Sequence, residues 1–101
     1  MARQVVGMHF VCRGDANVTV NADGTFDTGF WKVARKHCDA VEYVALHESK
    51  QATSYRHGKV TSWHEVEYEG SPRVVFTMQP EGAARRWVGP GSGEKGYAWS
   101  D

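Results

Sequence analysis

The stretch VEYVALHESKQATSYRHGKVTSWHEVEYEGSPRVVFT, Val41 to Thr77, decides the fold. In its first part Val41, Tyr43, Ala45 and His47 point one way while Glu42, Val44, Leu46 and Glu48 point the other, the period of two that marks a strand. One face therefore turns polar at the strand's C-terminal end. The segment SKQATSYRHG bends through Gly58. Beyond it Val60, Ser62, His64, Val66 and Tyr68 oppose Lys59, Thr61, Trp63, Glu65 and Glu67, and Glu69-Gly70-Ser71-Pro72 turns the chain into RVVFTM, where Val74, Phe76 and Met78 share a face. This reads as a long hairpin ended by Pro80 and Gly82.

Outward from that core, Val6, Met8, Phe10 and Cys12 alternate with Val5, Gly7, His9 and Val11, so the first strand is apolar on both faces and central. Asn21-Ala22-Asp23-Gly24 supplies the positive φ of a tight hairpin between Val18/Val20 and Thr25/Phe26. From Asp27 the spacing of Phe30, Val33, Ala34, His37 and Val41 predicts the one principal helix, near residues 28–40, capped by Asp27 or Thr28. In the tail, Trp87, Tyr97 and Trp99 carry large apolar areas, which argues that one or two of them pack across a small β-barrel, with residues 89–96 as a loop. GPGSGEKG is no phosphate loop, lacking the GKS or GKT ending and a strand-to-helix setting.

At 101 residues the chain is a single domain, 1–101, of α+β, mainly β class. Twelve basic and twelve acidic residues give zero formal charge, so the broad basic footprint of a nucleic-acid or membrane-surface protein is missing and only a local basic face remains. Cys12 and Cys38, embedded in apolar patterns, suit buried thiols in a reducing compartment, with a disulfide as the alternative. No apolar run approaches the ~20 residues of a membrane span. No secretory leader is recognisable, and a cytoplasmic location is expected.

A helix, then YVALHESK, then the YxxGxV entry from Tyr55 to Val60 into a long hairpin, resembles the PUA-like superfamily and its EVE and ASCH type domains over residues 27–80. The resemblance implies a small curved β-barrel of five or six strands that binds RNA or reads modified bases in a pocket near the first helix.

Three functions compete on the residues themselves. The leading one is a non-catalytic binding module for a nucleobase, nucleotide or single-stranded RNA or DNA, in a pocket between the helix start and the 47–57 loop. Its ligand-binding residues would be Trp31, His47, Lys50, Ser54, Tyr55, Arg56 and Trp87, with Lys32, Lys36, Arg85 and Arg86 contacting phosphate. A small enzyme or metal protein using His47 and His64, with His9 as a distant third ligand, is the second. It lacks CxxC, HxxxH, HExxH and GxSxG spacings, so no catalytic residue, metal or cofactor is assigned. A protein-interaction or homodimerisation module, pairing through an exposed edge strand or an apolar patch, is the third.

Overall fold

The computed structural model describes residues 3–89 and 94–100. Seven strands form one sheet: β1 (Val5–Val11), β2 (Val18–Val20), β3 (Phe26–Trp31), β4 (Tyr43–His47), β5 (Arg56–Tyr68), β6 (Ser71–Pro80) and β7 (Lys95–Trp99). Their order is β2-β3-β6-β5-β4-β1-β7. All pairs are antiparallel except β1 with β4, which run parallel from Gly7 opposite Tyr43 to Val11 opposite His47. The mainly-β class and the central, doubly apolar first strand are as the alternation predicts. The strand count is higher because β2 and β7 are short additions at the two edges.

The helix differs from expectation. Only Arg35–Cys38 is helical, α1, with Ala34 at its N-cap making no side-chain bond. Residues 28–31 of the expected helix belong to β3 instead, because Phe26 and Thr28 lie opposite Met78 and Phe76 of β6 and are fully buried there. Gly29 is a poor helix residue, and pairing with an apolar strand outweighs a weak helical period.

The two hairpin turns follow their sequences. Gly24 has φ 90 in the β2–β3 turn, and the Asn21 amide donates to the Thr25 carbonyl at 2.8 Å. Glu69 and Gly70 both have positive φ, 52 and 79, the conformation of a two-residue hairpin turn that joins Tyr68 to Ser71.

Met8 and Phe10 of β1, Val44 and Leu46 of β4, Val74, Phe76 and Met78 of β6 and Phe26 of β3 are all buried and form the core. Phe10 stacks on Trp31 with ring centroids 4.0 Å apart, although β4, β5 and β6 lie between their strands in the sheet. A flat sheet would separate β1 from β3 by ~19 Å, four inter-strand steps, so the sheet is sharply curled around these rings. It is not closed into a barrel: among the described residues no ladder joins β2 or β3 to β1 or β7. Cys12 and Cys38 are free and buried, and burial raises the Cys38 thiol pKa to about 11. Among the described residues no helix is long and apolar enough to cross a membrane.

Because the Phe10 ring holds the two limbs of the curl together, Phe10→Ala should cost about 3–5 kcal/mol in urea unfolding. Val20→Ala, at an exposed edge position, should stay within about 0.5 kcal/mol of the parent.

Candidate functional site

The side of β1 and β4 facing away from the core carries Gly7 and His9 on one strand and Tyr43, Ala45 and His47 on the other. His9 lies opposite Ala45, whose methyl leaves room for the imidazole to reach both neighbours of the small residue. His9 Nδ1 is 2.9 Å from His47 Nε2, and His9 Nε2 is 3.0 Å from the Tyr43 hydroxyl. His47 Nδ1 lies 2.8 Å from the Ala52 carbonyl. A carbonyl only accepts, so His47 carries its proton on Nδ1 and accepts at Nε2 from His9 Nδ1–H. His9 Nε2 then accepts from the Tyr43 hydroxyl. One tautomer at each ring, both neutral, satisfies the whole chain.

Burial, the neighbouring His47 and the cation of Arg85 together lower the His9 pKa to about 4. Burial raises the Tyr43 phenol pKa, and Arg85 opposes that rise. Tyr43 can lie flat across its opposite number only because that residue is Gly7: a Cβ there would be driven into the Tyr43 ring.

A strap, residues 81–89, covers these rings. Ser54, buried at the end of the 48–55 loop, clasps it: the Ser54 amide donates to the Arg85 carbonyl and the Arg85 amide to Ser54 Oγ, each at 2.8 Å. Ser54 Oγ donates to His57 Nδ1 at 2.9 Å, and His57 Nε2–H donates to the Gly82 carbonyl at 3.0 Å. The strap then lays the Arg85 guanidinium 3.6 Å above the Tyr43 ring and sets Trp87 edge-on to His9 and His47, at 6.0 and 5.3 Å. Gly96 of β7 lets the strap pass, since a Cβ there would strike the Val88 carbonyl.

Trp87 also forms one wall of a surface cleft of about 420 Å³ lined by Lys50, Gln51, Ala52, Thr53 and Arg86. Lys50 Nζ is 5.9 Å from the Trp87 ring centre, near the outer limit of a cation–π contact. The cleft therefore gathers Lys50, Arg86 and Trp87 above His47, with Ser54 and Arg85 holding its strap.

The remaining candidates lie elsewhere. Trp31 is on β3 rather than at a helix start, and lines a different groove of about 280 Å³ with Cys12, Arg13, Asn17 and Phe30. Arg56 holds Asp15 in a two-pronged ion pair at 2.8 and 3.2 Å, which lowers the Asp15 carboxyl pKa. Burial, reinforced by contacts with Cys12 and Asp15, raises the Tyr55 phenol pKa. These two residues thus fasten the turn after β1 and stand apart from the cleft. Lys32 and Lys36 belong to the core side of the sheet, where His37 of α1 packs on Tyr97, the partner of Met8. Arg85 and Arg86 are on the opposite face with the strap.

His64 does not meet His47. It is exposed on β5 opposite Val75, beyond Lys59, where the pairing with β4 ends. His47 meets His9 instead, and that pair is not a metal site. Its ring centroids are 5.1 Å apart for a nitrogen separation of 2.9 Å, so the two nitrogens point at one another along a line. A zinc ion held by both would need them ~3.3 Å apart, the span of two ~2.0–2.1 Å Zn–N bonds at a tetrahedral angle, with both lone pairs aimed at the ion rather than at each other. Among the described residues no group of three His, Cys, Asp or Glu side chains is arranged to hold a metal ion.

Compared with models of protein families, with curated proteins and with solved structures, the chain matches none of them.

The Gly7–Tyr43 contact can be tested by unfolding. Gly7→Ala should cost about 1–3 kcal/mol through overpacking, but under about 0.5 kcal/mol when Tyr43→Ala has already cleared the space. Tyr43→Phe, which strips His9 Nε2 of its donor, should cost about 1–3 kcal/mol in the same assay.

Proposed function

We propose that the chain is a non-catalytic binding module of the PUA-like kind, taking a nucleotide or a short single-stranded nucleic-acid segment in the cleft between the 50–53 loop and the strap. The observation that carries this reading is the convergence of Trp87, Lys50 and Arg86 on one cleft. An indole offers a stacking surface to any base, and two cations beside it offer phosphate contacts in a chain of zero net charge. Order along the chain supports the likeness: β4, the Tyr55–Val60 entry, then the β5–β6 hairpin. Free, buried thiols suit a reducing, cytoplasmic setting.

Acid–base catalysis is less favoured by the geometry. The Tyr43–His9–His47 chain ends on the Ala52 carbonyl rather than on a carboxylate that would stabilise an imidazolium. Pairing through β7 is a second reading, favoured by Trp99, which is 43% exposed on that edge strand. Light scattering checks it, since a monomer at every concentration would remove self-association.

Titration of dye-labelled single-stranded RNA and DNA at low and high salt tests the first reading. Trp87→Ala should weaken binding by about 1–3 kcal/mol, and Arg86→Gln should flatten the salt dependence by about one phosphate contact. No binding at low salt, or binding indifferent to salt, would overturn it.

A further inference from the structure

We propose that the strap, residues 81–89, is an acid-released latch, closed while His9 and His47 are neutral and lifted when the pair takes up a proton. The hydrogen bonds of the pair carry this inference. Each ring nitrogen already has its one partner, and with both rings uncharged every donor of the chain meets an acceptor. The proton between the two rings is already in place, so an added one goes to His9 Nε2 and turns the Tyr43 hydroxyl, beneath Arg85, from donor to acceptor; a second, on His47 Nε2, would set N–H against N–H.

The surroundings make even the first proton costly. From the strap, Arg85 lies over Tyr43, the ring next to His9; from the loop after β4, Lys50 stands across Trp87. The strand β4 contributes only the phenol of Tyr43 and His47 itself, and β7 brings Gly96, without charge. Glu48, the adjacent carboxylate in the chain, acts on the Cys12 thiol rather than on His9. At the strap's other anchor stands His57, between Ser54 and Gly82. A new cation therefore lies beside the Arg85 cation, and the segment that carries Arg85 lacks regular secondary structure and is largely exposed.

The sign follows from linkage. Closed, the protein holds the His9 pKa near 4; open, the imidazole returns toward its ordinary 6.5. The advantage of the closed strap is full above 6.5 and is lost as the pH falls toward 4. Its consequence for ligand rests on the cleft reading, because lifting the strap removes Trp87 and Arg86 from the cleft.

Nitrogen-15 NMR of the whole chain without ligand, from above pH 6.5 down to about 4, tests the latch itself. The Arg85 amide and Trp87 indole signals should shift with the midpoint of the His9 ring, while the Val75 and Phe76 amides hold their positions. His9→Gln should abolish the shift, and Arg85→Gln, which removes the neighbouring cation, should raise the ring midpoint. Strap signals that stay fixed while the rings titrate, or that vanish together with those of the sheet, would overturn the proposal. Labelled oligonucleotide then reads the consequence. Added positive charge alone would tighten an anionic ligand, so weaker binding at the acid end, absent in His9→Gln, supports latch control of the cleft, and tighter binding overturns it.

Discussion

Parallel pairing of β1 with β4 is the constraint on which the site depends. Strict alternation sends Met8 and Phe10, with Val44 and Leu46, into the core, and the same register leaves Gly7, His9, Tyr43 and His47 side by side on the other face. The pair lies inside the sheet and is covered on both sides, so these polar rings cannot rely on water. A buried polar atom without a partner costs ~1–3 kcal/mol, and three rings in a single donor-to-acceptor direction leave none. Among the described residues no buried side-chain nitrogen or oxygen lacks a partner.

The strap belongs to the same solution. It lacks regular secondary structure, so its backbone groups need partners from outside, and Ser54 supplies two of them. With its backbone held there, Arg85 and Trp87 fall onto aromatic surfaces. A cationic, ring-bearing cleft follows from covering a polar sheet face with an irregular segment.

Local signals were legible in the sequence, and long-range ones were not. The alternation in Tyr43–His47, the Asp23-Gly24 and Glu69-Gly70 turns and the doubly apolar first strand each state their structure within a few residues. The 28–40 helix misled because Phe30, Val33 and His37 imitate a helical period, while the pairing of Phe26 and Thr28 with β6 arises fifty residues later. In the site, Arg85 and Arg86 were legible as cations beside Trp87, and Lys50 only as a member of the 47–57 loop, since its nearness to Trp87 arises from the fold. His9 was legible as a polar residue out of phase with Met8 and Phe10 and as a distant third ligand to His47 and His64, and its direct hydrogen bond with His47 requires knowing that β1 and β4 are neighbours. Tyr43 carried a signal in sharing the parity of His47. Of the expected loop at 89–96, residues 90–93 lie outside the described residues, and Lys95 and Gly96 belong to β7 instead because they pair with Phe10 and His9 of β1.

The place of β1 between β4 and β7 has a consequence for how the molecule assembles. Both its neighbours come late in the chain: β4 begins at Tyr43 and β7 at Lys95. Until they arrive, β1 is an apolar ribbon with two open edges, the kind of segment that pairs with the wrong partner. The β5–β6 hairpin, joined by a two-residue turn, can form without it. A sheet that grows outward from this hairpin encloses β1 only once β4 and β7 have joined it.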